Sequence, residues 1–412
     1  MMEPSTDRGF RMYIKDKVSR LPLPIIPATL GLLVLSGTYD QLGFPLVHWI
    51  AAGVSTFVAL AYCLKIVLHL RSVIAAEYAN PMLAALYPTL PMLIMVLCVF
   101  YAPLAWDACR VIFFILLGVQ FVHAAVFFVR FFVRRFEWKT FMPSWYVTTN
   151  GVMVTTVAGM QFMPIELAEF IVVWGTVLYV VLTPFMIWRM SRCEVAETTM
   201  HSQAIMLGPC SLCLVSYVNV FPEPSAIIVG VLYACVVVSL VYVVAKLPKF
   251  FSVAFHPGYA GMTFPMAVGL LASNAAASTF AAAGLPVLAW GAGQLAGIQL
   301  VLATTIVAVV YARFLGMFAA GLRRDRENGV LAPEQLAAVR AVQAYLRRGS
   351  ADVAPSTASE SFVPVAAGAA GEAEADGADA AGVEDGRGAA DAAGKAREAE
   401  AAADPDEPAE KK

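Results

Sequence analysis

From Leu21 to about Phe318 the chain alternates ten apolar stretches with short polar connections. They fall at 22–39, 45–68, 82–102, 106–132, 143–160, 165–188, 203–221, 225–247, 257–280 and 286–313. Each is near the ~20 residues with which a helix rising 1.5 Å per residue crosses a ~30 Å hydrocarbon core. The pattern predicts an all-α integral membrane domain over 21–318, with ten helices paired as five antiparallel hairpins. After the last stretch, Pro333–Arg348 places Leu336, Val339, Val342 and Leu346 along one side, which predicts an amphipathic helix within 319–348. Residues 349–412 are rich in Ala, Gly, Glu and Asp, and too poor in large apolar residues to bury a core. They read as a disordered acidic tail.

Charge orients the spans. Lys and Arg collect on the cytoplasmic side of a membrane protein. Residues 1–20 carry Arg8, Arg11, Lys15, Lys17 and Arg20. Lys65 and Arg71 lie at or after the end of the second stretch, Arg130, Arg134, Arg135 and Lys139 around the end of the fourth, and Arg189 and Arg192 after the sixth. Lys246 and Lys249 lie at the end of the eighth, and Arg313, Arg323, Arg324 and Arg326 at or beyond the tenth. All lie on the side of the N-terminus, so both termini are expected in the cytoplasm. Composition agrees with a membrane class: 59% of residues are hydrophobic and 14% charged, against about 25% charged in soluble proteins. The net charge of −2 conceals a split. Residues 349–412 hold 15 acids and 5 bases, so residues 1–348 hold 15 acids and 23 bases.

Odd and even stretches differ in chemistry. The odd ones carry Pro27 and Gly31, Pro88 and Pro91, Gly151, Gly208 and Pro209, and Pro265 and Gly269. An interior proline removes a backbone hydrogen bond and bends a helix. The freed carbonyl is tolerated only against protein or a wet cavity. This bias predicts five bent helices lining a path inside five straighter ones that face lipid. The competing reading is that Pro and Gly are simply frequent in membrane helices. The odd stretches also carry neutral polar residues: Thr29, Ser36, Thr89, Thr148, Thr149, Asn150, Thr155, Thr156, Ser211, Ser216, Asn219, Thr263, Ser273 and Asn274. Such groups are expected to solvate a passing anion without trapping it, as conduction requires.

Ionisable chemistry inside the spans is sparse. His123 is the one central candidate for a proton relay, and packing with a hydrogen bond is the blander reading. Cys210 and Cys213 form a C-x-x-C inside a span with no second ligand pair, and read as small hydrophobes. No catalytic motif, metal-ligand set or cofactor fingerprint is expected, nor a nucleic-acid partner, and an enzyme is not the reading.

The segments Pro24–Ser36, Ala76–Leu93, Pro143–Thr156, Leu207–Tyr217 and His256–Ala272 fall at or near the start of successive odd stretches. Together they resemble the tellurite-resistance/dicarboxylate transporter family, which includes bacterial TehA-type channels, fungal malate and sulfite transporters, and plant guard-cell slow anion channels. The resemblance covers roughly residues 20–318. It implies a central pore of quasi-fivefold symmetry, a homotrimer, and a phenylalanine on the ninth helix that plugs the pore. In Gly261-Met262-Thr263-Phe264-Pro265 that residue is Phe264. The expected function is a channel or channel-like exporter for small inorganic or organic anions, embedded in the lipid bilayer of a bacterial plasma (inner) membrane. Two rivals stay open. One is a proton-coupled carrier of C4-dicarboxylates or sulfite on the same fold, and the other is a membrane receptor or scaffold acting through the acidic tail.

Overall fold

A computed structural model describes residues 15–327, which are helical with no strand. The helix expected within 333–348 and the acidic tail lie outside the described residues. Helices occupy every apolar stretch: α1 (Ile25–Gln41), α2 (Pro45–Ser72), α3 (Thr89–Tyr101), α4 (Trp106–Phe127), α5 (Trp145–Thr149 with Val154–Ala158), α6 (Ile165–Arg192), α7 (Leu207–Val220), α8 (Ala226–Phe250), α9 (Thr263–Ala282) and α10 (Pro286–Glu327). Counting the turns that lead into or extend them, eight are long and apolar enough to cross a membrane as continuous helices. The chain is therefore a multi-pass membrane protein. The other two fall short for local reasons. α1 has 17 residues, and α5 is interrupted by a 3-10 turn, Gly151–Met153.

Packing separates odd from even. In the spans built on α3, α7 and α9, 61–83% of the apolar window is buried, against 22–33% in the five even spans. α1 packs on α3, α3 on α5, α5 on α7, α7 on α9, and α9 returns to α1. Each even helix lies against its hairpin partner and the next odd helix, with α10 spanning α9 and α1. Large apolar side chains such as Phe57, Val67, Val180 and Ile227 point outward from the even helices. On a membrane protein these are lipid contacts rather than an aggregation liability.

The prolines do not bend the odd helices midway. Pro27, Pro91, Pro209 and Pro265 each stand third in their helix, and Pro88 is the residue before α3. In the first turn a missing N–H costs nothing, because that N–H has no intrahelical partner. What changes there is helix type. 3-10 segments, Glu197–Met206 and Pro257–Met262, lead into α7 and α9 just ahead of Pro209 and Pro265. The interior prolines are instead Pro184 in α6 and Pro248 in α8. The tenth helix also continues past 318 to Glu327, and Asp325 on this extension is ion-paired with Lys17.

Candidate functional site

At the junction of α1 with α9, backbone approaches backbone. Gly31 has no side chain because none fits. A Cβ there would lie 2.6 Å from the Phe264 amide nitrogen and 2.7 Å from the Thr263 carbonyl carbon. The Thr263 hydroxyl bonds across this contact, 3.1 Å from the Pro27 carbonyl oxygen and 2.8 Å from that of Ala260. Gly269 does a similar service one side further on, where a Cβ would meet Leu207 at 3.0 Å and Gln299 at 3.2 Å. Gly208 leaves more room, since its nearest neighbour is the Pro265 ring at 4.0 Å.

Phe264 projects from this clamped backbone. Thr263 and Pro265 on either side of it are buried, while Phe264 is half-buried. Along α9, Leu271 and Ala275 are also half-buried, and Asn274 and Ser278 are exposed. At 100° per residue these five positions fall within an arc of about 100°. α9 touches α1 and α7 on its flanks and α8 and α10 behind. The accessible arc is a side that these four neighbours leave uncovered. Its order is an aromatic ring at one end and neutral polar groups at the other.

Most of the other neutral polar groups already have partners within the protein. Thr29 accepts from the Tyr311 hydroxyl at 2.7 Å, Thr148 donates to the Ala85 carbonyl, and Ser273 donates to Gln299 Oε1 at 2.5 Å. Thr89, Thr155 and Ser211 bond carbonyls of their own helical turns. These groups are committed, and the bonds of Thr29, Thr148 and Ser273 hold separate elements together. The break in α5 shows the same logic. Asn150 is buried and donates to the Gly175 carbonyl at 2.7 Å, while Thr156 donates to Ser216 at 2.7 Å. Asn219 of α7 donates towards the carbonyls of Thr156 and Val157, which have no helical partner because the helix ends at Ala158. Gly151 lies under Met92, a flexible side chain that must move if a Cβ is added.

His123 is on α4, outside the ring. Its Nδ1 lies 3.2 Å from the Tyr78 hydroxyl and its Nε2 3.5 Å from Thr148 Oγ1, with Phe127 stacked on the ring. None of these partners is a carboxylate.

Two clusters escaped the sequence reading. After α2, one π-helical turn (Val73–Glu77) folds Glu77 back against the helix it has just left. Lys65 Nζ bonds Glu77 Oε1 at 2.5 Å and the Leu21 carbonyl at 2.6 Å. The Tyr62 and Tyr87 hydroxyls donate to Glu77 Oε2 at 3.0 and 2.6 Å. Lys65 is 3% exposed, so it is a buried structural charge rather than a surface one. At the same end of the bundle, His201 packs against Tyr259 and His256, with ring centroids 4.0 and 4.7 Å apart. Burial holds the His256 ring below the usual histidine range. Among the described residues no group of three or more His, Cys, Asp or Glu could hold a metal ion.

Set beside known families, the chain matches the family model described as SLAC1, voltage-dependent anion channel, over residues 22–315. That match spans all ten helices described above, stopping within α10. A comparison with curated proteins finds no match.

Proposed function

Because the chain belongs to the voltage-dependent anion channel family, we propose that it passes small anions down their electrochemical gradient through the middle of the five-membered ring. In this reading the ten helices all cross the membrane, the ring has quasi-fivefold symmetry, and Phe264 is the gate. The observation that carries it is the accessible arc of α9. One large apolar ring stands half-buried on a buried helix beside the Gly31 contact, in line with Leu271, Asn274 and Ser278, and in this reading that arc faces the middle of the ring. An aromatic plug blocks ions by bulk and by dewetting the constriction. Beyond it, neutral amide and hydroxyl groups offer weak binding, which lets an anion leave as readily as it enters. Pro27, Pro88, Gly151, Pro209, Pro265 and Gly269 serve the path indirectly, by allowing close packing or by starting helices, whereas Gly208 has room for a side chain.

The same reading places both termini in the cytoplasm of a bacterial plasma membrane and the protein in a homotrimer. The carrier alternative needs a proton site on the path. His123 gives it little support, since it is on an outer helix and bonds Tyr78.

The test is anion flux into proteoliposomes with chloride, nitrate, sulfite and malate, comparing wild type with Phe264→Ala. Flux should follow the electrochemical gradient and rise in the variant. Unchanged flux through a folded Phe264→Ala protein removes the gate, and flux that needs an imposed pH gradient favours the carrier.

A further inference from the structure

The outer face of α4 carries a recess that the anion path does not use. One part, about 610 Å³, is lined by Ala125, Val126, Val129, Arg130, Arg134 and Arg135. A second, about 540 Å³, is lined by Ile115, Val119, Val122 and His123 with Tyr78 as its side wall. Val126 belongs to both, so the two adjoin as one shallow, open groove along the helix. One end is basic and the rest is almost wholly apolar.

The basic end is built, not incidental. α4 passes into a π-helical turn, Phe128–Val133, which carries Arg130 and delivers Arg134 and Arg135 just beyond it. The Arg130 guanidinium lies 5.5 Å from the centre of the Tyr78 ring and 5.3 Å from that of Phe131. Tyr78 is itself tied to His123, so the wall and the floor of the groove are fixed to each other. None of the three arginines has a carboxylate partner among the described residues, whereas Lys17, Arg20 and Lys65 at the same end of the bundle do. Three uncompensated guanidinium groups at the rim of an apolar groove call for an anion with an apolar body. Arginine binds phosphate oxygens in a fork that lysine cannot copy.

Length agrees. From Ile115 to Arg130 the helix rises about 22 Å, more than the ~15 Å of one hydrocarbon leaflet. A chain lying in the groove with its headgroup at the arginines keeps the membrane's own orientation. We propose that this groove is a binding site for one anionic glycerophospholipid, its phosphate held by Arg130, Arg134 and Arg135 and one acyl chain lying along Val126, Val122 and Val119 beside Tyr78.

The experiment is native mass spectrometry of the full-length, delipidated protein titrated with phosphatidylglycerol, phosphatidylcholine or glycerol 1-phosphate. Two variants accompany wild type: Arg134→Gln/Arg135→Gln, which removes charge at an exposed rim, and Val122→Trp, which fills the apolar part. Phosphatidylglycerol should bind in preference to phosphatidylcholine. Each lost arginine should weaken it about fivefold, and Val122→Trp should weaken both lipids. Equal retention of the two lipids, or retention unchanged in both variants, overturns the site. Full competition by glycerol 1-phosphate also overturns it, because the groove would then be reading a soluble phosphate. Loss of oligomer in Val122→Trp without loss of lipid overturns it in favour of a contact between copies of the chain.

Discussion

Replacing Gly31 by alanine adds one methyl group where the backbones of α1 and α9 meet. The new Cβ would stand 2.6 Å from Phe264 N, where ordinary contacts begin near 3.4 Å. Two of the three atoms it meets are backbone, so no rotamer change relieves the clash. In an interior packed to crystal density, α1 and α9 must part by roughly 0.8 Å. The Thr263 hydroxyl is now 3.1 Å from the Pro27 carbonyl. The same displacement carries it to roughly 3.9 Å, beyond hydrogen-bonding range. Overpacking of this kind costs about 1–3 kcal/mol, and the lost bond adds about 0.5–1.5 kcal/mol. The expected destabilisation of Gly31→Ala is thus about 2–4 kcal/mol. Gly208→Ala is the matched control, because its nearest neighbour is 4.0 Å away, and it should be neutral or slightly stabilising. Equilibrium unfolding of the purified protein in mixed micelles reads both. A Gly31→Ala protein as stable as wild type, or a Gly208→Ala protein equally damaged, refutes the close-contact argument.

Other consequences follow from the buried polar groups. Lys65→Met strands Glu77 with a charge and should cost about 3 kcal/mol, whereas Lys65→Met/Glu77→Gln should recover most of it; unfolding of the two variants in parallel decides. Asn150→Leu removes the amide that ties the break in α5 to the Gly175 carbonyl, which keeps its helical donor, and should cost about 1 kcal/mol by the same measurement. His256 takes up a proton less readily folded than unfolded, so acid favours the unfolded chain. Stability should be unaffected by this group well above pH 6.5 and fall as pH drops below it, and His256→Gln should flatten that part of the stability–pH curve.

Which helices are inside could be read from composition, though not for the reason first offered. Small residues and prolines mark the odd stretches because backbone approaches backbone there, as at Gly31, and because helices restart there after 3-10 turns. A proline in the sequence does not announce whether it stands in the third position of a helix or the thirteenth. The hydroxyl groups misled in a similar way. Residue type says that Thr29 or Ser273 can bond something, but only packing tells whether the partner is an ion or the next helix. Glu77 was invisible because hydropathy places it in a connection, and one extra residue per turn folds it back to Lys65. The amphipathic arc of α9 could have been found, since Phe264, Leu271, Asn274 and Ser278 share one helical face in the sequence itself.

The ring is joined last where the chain is newest. Thr263 reaches back 236 residues to Pro27, and Tyr311 reaches back 282 to Thr29. A nascent chain that has released its first four hairpins into the bilayer therefore holds an open seam, with α1 and α7 as its two lips. The bare backbone at Gly31 then meets lipid instead of protein. Only the arrival of α9 and α10 latches the seam, so a chain cut short after α8 carries its immaturity on its surface.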